Sequence, residues 1–426
     1  MESKHAYHNE KAERGRLAGR LYPSDKRFRI ILIAMGIIAI AFLVMMIVLN
    51  VLPTDLTLII ILLMLLLMAA ASILFAGTGR GRHAAGIAVA VIFCGMFIYG
   101  TSFMISTYSM LATISATGTK ATGPAPIKCN VAEEPFNVYI TGIDQWACDK
   151  GEDLERSDVN MIITVNPKTK KILLTSIPRD TYVKLHTSKQ MDKLTHSGIY
   201  GVDETLNTVQ DWLGIDLNYY VKMNFTGARD IINAMGGIVV YSPVDFTSDL
   251  KGYEYKKGWN LLGGKEALYF ARERHAFEGK DYIRVQNQQR VVKAIIKKMT
   301  SSRVLLTKYG KIMDEAGEEM STNLSADEMT ALARLQITDI ADWDIETQRI
   351  DGREDMDYVA SMAPVQKYLV YRPSAGSVAS CKANIDRVMN PTPAEVNAAR
   401  KEHSKSFIVN AVKKTISRKA EDKGNV

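Results

Sequence analysis

Residues Arg156–Asp180 read RSDVNMIITVNPKTKKILLTSIPRD, and this stretch decides the fold. Val159–Val165 is apolar and rich in β-branched side chains, which suit a pleated, half-buried surface. Asn166-Pro167-Lys168-Thr169-Lys170 carries turn chemistry: proline presets φ, and the Asn and Thr side chains bond nearby backbone. Ile172–Ile177 is a second apolar run, closed by Pro178, which has no N–H to give to a ladder. The stretch therefore predicts a β-hairpin. In an antiparallel pair the start of one strand lies beside the end of the other. Arg156 and Asp158 are thus expected at one sheet edge with Arg179 and Asp180. Surface salt bridges are the plain alternative for such a cluster, because exposed ion pairs are common and weak.

Upstream, Phe136–Ile143 (FNVYITGI) predicts the preceding strand, followed by Asp144. Antiparallel pairing with Val159–Val165 brings Asp144 to the same edge. A Ser/Thr/Ala/Gly/Pro-rich stretch, 108–135, reads as a linker to this first strand. Before it stand three uncharged runs, Ile30–Leu52, Leu56–Ala76 and Ala84–Thr107. Each is close to the roughly 20 apolar residues that cross a bilayer. The first is too long for a signal peptide and is not alone. Residues 1–29 form a basic tail, and the loop Gly77–His83 carries Arg80 and Arg82. Basic segments favour the cytoplasm. The sequence therefore predicts a multi-pass cell-membrane protein, with a cytoplasmic N-terminus and everything after about residue 108 extracellular.

Downstream, Asp203–Leu213 predicts a helix from the spacing of Leu206, Val209 and Leu213, stopped by Gly214. Asn218–Met223 reads as a strand, Thr226–Met235 as a helix ended by Gly236-Gly237, and Ile238–Tyr241 as a strand. This alternation predicts an α/β domain around a mixed central sheet. Gly263–Phe270 opens a helix ahead of a second charged cluster: Arg272, Arg274, His275, Asp281 and Arg284. Arg272 and Arg274 share a face only if their segment is extended. Arg284–Met299 is amphipathic, with Arg284 and Gln288 on one face near a helix N-terminus, where anions are favoured. Val304–Ala316 and Ala326–Gln336 predict further helices, the latter with a Ser325/Glu328 capping box. Trp343–Ile350 and Gln366–Tyr371 read as late strands, and the stretch beyond Asn390 as a charged, flexible tail.

The chain has 426 residues, a net charge of +7 and four cysteines. It carries no helix-turn-helix, zinc-finger or RNA-binding signature, so its basic balance does not point to nucleic acid. Cys94 falls in the third apolar run. Cys129 and Cys148 flank the first strand, where an oxidised pair is compatible with an extracellular location; Cys148–Cys381 is the alternative pairing. There is no GxSxG, HExxH or CxxC, and Gly263-Gly264-Lys265 is followed by Glu266 where a P-loop needs Ser or Thr. His186 and His196 are isolated and read as structural or surface residues. What remains is arginines with aspartates, outside the cell, beside a membrane. Guanidinium groups grip phosphate bidentately, and carboxylates hold Mg²⁺, which bridges phosphate. Together they describe a pyrophosphate site, and its location suggests a polyprenyl-linked glycan.

Three motifs in order, RSDVNMIITVNPKTKKILLTSIPRD, DKLTHSGIYG and GGKEALYFARERH…GKDYIRVQNQQ, resemble the LytR–CpsA–Psr (LCP) family over about 136–300, and more weakly to about 390. The three leading spans resemble its capsule-type members. The resemblance implies a mixed sheet with helices on both faces: a domain core at 136–300, a C-terminal extension at 301–390 and a tail at 391–426. It implies a phosphotransferase that moves a capsular or teichoic-acid-like glycopolymer from a polyprenyl-pyrophosphate carrier to peptidoglycan. By the motifs, Asp144 and Asp158 would hold Mg²⁺, with Mn²⁺ as the alternative metal. Arg156, Arg179, Arg272, Arg274 and Arg284 would bind the pyrophosphate. Lys193 and Gln288 would add head-group contacts, and Asp281 a carboxylate beside the arginines. The sequence departs from the family at Thr195, where Asn often precedes the histidine, and at Gln145-Trp146, where many members have Ser-Arg. A non-catalytic regulator that binds the same lipid, or a polyprenyl-pyrophosphate phosphatase, would use the same head-group contacts.

Overall fold

The computed structural model describes residues 25–49, 54–77, 79–120, 127–143, 156–249, 251–274, 276–277, 280–301, 312, 320–338, 343–362 and 366–401. The chain divides into two units, Met1–Ser109 and Met110–Val426.

The first unit is helical: α1 (Lys26–Leu49), α2 (Thr54–Ala76) and α3, which runs from Arg80 to Lys120. Within these, Lys26–Val48, Thr57–Ala76 and Arg80–Ser102 are long and apolar enough to cross a membrane. Met35, Phe42, Met64, Phe75, Phe93 and Phe97 pack between the helices. Ile33, Ile37, Leu62, Leu65 and Val91 stay exposed, an arrangement that suits lipid rather than water. The helix α3 extends into the stretch read as a linker. Proline first appears there at Pro124, and the helix runs on to Lys120 through Gly118, a weak helix former.

In the second unit a six-stranded sheet has the order β11-β6-β1-β2-β3-β12. Its strands are β1 (Phe136–Ile143), β2 (Ser157–Asn166), β3 (Lys171–Ser176), β6 (Tyr219–Asn224), β11 (Met320–Thr322) and β12 (Asp344–Arg349). The expected hairpin is present, with Met161 opposite Ser176 and Asn166 opposite Lys171. Its turn holds because Asn166 Oδ1 accepts from the backbone N–H groups of Lys168 and Thr169. β1 pairs antiparallel with β2 and parallel with β6, and β3 pairs parallel with β12, so the sheet is mixed.

Alternating side chains supply two cores. Tyr139, Ile162, Leu173 and Tyr220 face α5 (Val202–Leu213) and α10 (Ala375–Met389) through Leu206, Val209, Ile385 and Val388. Val138, Ile163, Leu174 and Tyr219 face α8 (Lys280–Met299) and α9 (Ala326–Thr338) through Val292, Ile296 and Leu332. Helices thus cover both faces. α5 stops where expected, with Gly214 in the left-handed region at φ 60°. The Ser325/Glu328 capping box is formed. The predicted helix Val304–Ala316 lies outside the described residues apart from Ile312.

Further elements in chain order are β4 (Tyr182–Lys184), β5 (Met191–Lys193), α4 (Leu194–Ser197), α6 (Phe225–Ala234), β7 (Ile238–Ser242), β8 (Phe246–Thr247), β9 (Glu254–Tyr255), β10 (Gly258–Leu262) and α7 (Gly264–Arg272). A hairpin, β13 (Gly352–Asp357) with β14 (Tyr368–Pro373), follows β12. The stretch beyond Asn390, expected to be flexible, is helical at 393–401; the rest lies outside the described residues. Cys381 is a buried, unpaired thiol on α10 that donates to the Arg349 carbonyl, and Cys129 is also unpaired. Cys148 lies outside the described residues.

Candidate active site

The topology gathers chemistry at one sheet edge. Here β1, β3, β6 and β12 end and β2 begins. A β-bulge sits at that edge. Gly142 pairs with Val159 and Ile143 with Ser157, so Asp158 is an extra residue with no partner on β1. Bulges kink a strand and re-aim a side chain. A Cβ at Gly142 would lie 3.0 Å from Val159 Cβ, so a larger residue there would push Val159 aside. Beneath the bulge is a buried polar network. Tyr139 Oη and Ser157 Oγ both donate to Asn160 Oδ1, at 2.5 and 2.6 Å, and Thr141 Oγ1 lies 2.5 Å from Ser157 Oγ. Burial pushes the Tyr139 phenol well above its ordinary range, so it stays a neutral donor.

Asp158 Oδ1 accepts from Arg179 Nη1 at 2.7 Å, the pairing the hairpin predicts. Arg179 Nε lies 3.5 Å from Asp180 Oδ2, and Lys193 Nζ lies 3.1 Å from Asp180 Oδ1. Asp158, Arg179, Asp180 and Lys193 thus form one chain of alternating charge, each side chain between 16% and 28% exposed. The Arg179 carbonyl accepts from Thr195 N–H, and the Asp180 carbonyl from Tyr371 N–H. Arg156 is exposed, immediately before β2.

The second cluster reaches the same edge along two helices. Arg272 ends α7 with its guanidinium 5.0 Å from the Phe225 ring centroid, and Phe225 follows the end of β6. Glu273 is extended and buried, so Arg272 and Arg274 flank an inward-pointing residue, as a shared face requires. The Glu273 carboxylate accepts from the N–H groups of Asp249, Arg274 and Ala276, which fixes the segment. α8 is tied along β12 by Gln289 Nε2 to Gln348 O and Lys293 Nζ to Ile345 O, both at 2.6 Å. This sets its N-terminal turns beside Arg349, where Arg284 is buried and Gln288 half-buried. Asp281 is on the first turn of α8, its side chain outside what the structure describes. Asp144 and His275 lie outside the described residues.

The acidic groups at the edge, Asp158 and Asp180, offer carboxylate oxygen, which suits a hard cation. One Asp158 oxygen is engaged by Arg179. Among the described residues no group of three His, Cys, Asp or Glu is arranged to hold a metal.

Sequence reasoning did not find the buried pair behind Lys193. Asp192 is fully buried, and His196 Nδ1–H is shared between Asp192 Oδ1 at 2.7 Å and Ser361 Oγ at 2.8 Å. Ser361 N–H donates to Asp192 Oδ2. Burial alone would raise the Asp192 carboxyl; hydrogen bonds from His196 and Ser361, with the histidine charge, outweigh it and hold the group below its ordinary value. His196 is therefore structural. His186 lies on the surface beside Asp211. A further group, Tyr282, Arg349 and Tyr371, also went unread, because it is assembled from three distant segments.

The LytR_cpsA_psr family matches residues 101–384. Polyisoprenyl-teichoic acid–peptidoglycan teichoic acid transferase TagU of Bacillus anthracis is 37% identical over 197 residues, 46% of this chain and 63% of that protein. The Enterococcus faecalis TagU is 33% identical over 236 residues, 52% of this chain and 77% of that protein. The match thus spans less than two thirds of the Bacillus relative. Among solved structures, B. subtilis TagV superposes with a TM-score of 0.51 at 32% identity, covering 61% of this chain and 99% of that one. TagT bound to LIIa-WTA superposes with a TM-score of 0.50 at 29% identity, covering 63% and 96%. With its first motif on a mixed sheet covered on both faces and its residues 101–384 matching the family, the chain belongs to the LytR_cpsA_psr family.

Proposed function

We infer that this chain is a glycopolymer phosphotransferase, moving a glycan from a polyprenyl-pyrophosphate carrier to a peptidoglycan hydroxyl on the outer side of the membrane. The observation that carries this reading is the convergence of Asp158, Arg179, Asp180, Lys193 and Arg272 at one sheet edge, in a chain with three helices able to cross a bilayer. Relatives named as teichoic acid transferases support teichoic-acid-like polymer over capsule. The basic N-terminal tail and the Arg80/Arg82 loop support a cytoplasmic N-terminus.

Catalysis at such a site is positioning and charge neutralisation. Arg179 sits between Asp158 and Asp180, so a pyrophosphate entering the edge competes with these carboxylates for a guanidinium already in place. Arg156, Arg272, Arg274 and Arg284, with Lys193 and Gln288, would hold the remaining phosphate oxygens. Asp158 with Asp144 would hold Mg²⁺ or Mn²⁺, which when bound would offset charge on the pyrophosphate and leaving group. The acceptor oxygen bonds to the phosphorus that bears the sugar. The bond from that phosphorus to the bridging oxygen breaks, and polyprenyl phosphate leaves with that oxygen. The hydroxyl proton passes to a carboxylate, for which Asp281 is the candidate, or to water.

Arg179→Ala tests the reading. Full-length protein in detergent, given polyprenyl-pyrophosphate glycan and Mg²⁺, is expected to lose about 10³-fold in turnover on this substitution. Melting should be unchanged. Equal turnover by the variant would overturn the assignment. Chelation by EDTA is expected to stop turnover and added Mg²⁺ to restore it.

A further inference from the structure

Beside the cationic edge lies an aromatic group that the head-group contacts leave unused. Arg349, the last residue of β12, has its guanidinium 4.0 Å from the Tyr282 ring centroid and 5.9 Å from that of Tyr371. Its Nη2 donates to Tyr371 Oη at 3.3 Å, and Nε and Nη2 both donate to Asp351 Oδ1. Tyr371 N–H donates to the Asp180 carbonyl, which joins the group directly to the Arg179 side of the site. Arg349 is a half-buried strut: its side chain is 14% exposed, whereas Tyr282 is 45% exposed.

Packing alone accounts for the guanidinium stack, because arginine stacks well on aromatic faces. It does not account for a large ring held open on the helix that carries Arg284, at the end of β12 beside the binding edge. The charge pattern indicates what the ring takes. Asp351 neutralises Arg349, so this patch carries no net positive charge to draw a phosphate. It offers a π face, a tyrosine hydroxyl, and a carboxylate that accepts hydrogen bonds. The C–H face of a sugar ring carries partial positive charge that suits the negative face of an aromatic ring. Its hydroxyls suit Asp351 and Tyr371.

We propose that Tyr282, backed by Arg349 and flanked by Asp351 and Tyr371, is the subsite that seats an uncharged sugar ring of the peptidoglycan acceptor. The proposal rests on the phosphotransferase reading and adds the acceptor side to it. The donor pyrophosphate takes the Asp158–Arg179–Lys193 side, and the acceptor sugar approaches across Tyr282. Tyr282 also determines whether the phosphoryl group goes to sugar or to water, since a seated acceptor displaces water from the attacking position.

The test uses full-length protein in detergent with a short polyprenyl-pyrophosphate oligosaccharide and soluble, uncrosslinked peptidoglycan oligomers. Conjugate and free glycan phosphate are quantified together. Tyr282→Ala is expected to raise the KM for the oligomer by about 10-fold. Donor KM should be unchanged, while glycan phosphate release to water rises because the unseated acceptor no longer displaces water, so the ratio of conjugate to hydrolysis falls. Tyr282→Phe should restore the ratio. An unchanged ratio in Tyr282→Ala would overturn the subsite, as would a donor KM that rises in parallel. Binding of the oligomer alone, followed by thermophoresis, separates the two claims. If wild-type protein leaves the donor intact, the phosphotransferase reading fails. Equal oligomer affinity of wild-type and Tyr282→Ala protein would still overturn the subsite.

Discussion

Two aspartates of this domain each hold a nitrogen donor, in opposite settings. Asp158 sits on a bulge at the sheet edge, 17% exposed, paired with Arg179 and beside a second carboxylate competing for the same guanidinium. Asp192 is fully buried, with His196, Ser361 and the Lys193 N–H closing around it. The open pair can exchange partners when an anion arrives; the closed pair is shut off from solvent. Similar chemistry thus serves reaction in one place and architecture in the other. The architecture serves the reaction too, because Asp192 precedes Lys193, and Thr195 N–H donates to the Arg179 carbonyl.

The contrast breaks first at Asp192. Asp192→Ala leaves a buried histidine and two N–H groups without their acceptor, a loss expected to cost about 3–5 kcal/mol in chemical denaturation. Arg179→Ala at the open pair should leave the denaturation midpoint unchanged while removing turnover. If the two substitutions cost the same stability, the distinction between the pairs fails.

A smaller effect is expected at the bulge. Gly142→Val adds methyl groups where a Cβ already approaches Val159 at 3.0 Å, and overpacking of this kind costs about 1–3 kcal/mol. Activity should fall further than stability, since the strain falls on the backbone that aims Asp158. Turnover that merely tracks the folded fraction would remove the bulge from the account.

The smallest effect sharpens the comparison through pH. The Asp192 carboxyl is held below its ordinary value of 3.8 in the folded chain. A group with a lowered folded pKa contributes stability that is present above the unfolded value and lost as pH falls toward the folded one. Wild-type stability should therefore drop more steeply than that of Asp192→Ala below about pH 4. Parallel acid profiles would show that Asp192 is not a held carboxylate.

Much of this was legible in the chain. The hairpin announced itself because two apolar runs are punctuated by Asn166-Pro167 and Pro178, and once β1 pairs with β2 the edge follows from geometry. The bulge was not legible. It depends on register, and nothing around Asp158 in sequence separates an extra residue from an ordinary one. Lys193 was found through its motif and Asp180 through the hairpin, whereas their pairing became visible only when β4 and β5 folded back. Helix α10 did carry a signal, since Val378, Cys381, Ile385 and Val388 recur at helical spacing. The Tyr282–Arg349–Tyr371 group draws on α8, β12 and β14, and contacts so distant in sequence leave no local pattern.

The central claim is that the charged edge transfers a glycan phosphate to a sugar hydroxyl. The most direct measurement incubates the full-length protein with polyprenyl-pyrophosphate glycan, Mg²⁺ and peptidoglycan oligomers, and reads the products by mass spectrometry. A phosphodiester-linked conjugate, formed together with polyprenyl phosphate, is the expected result. Free glycan phosphate with no conjugate, or intact donor that co-purifies with the protein, would contradict it.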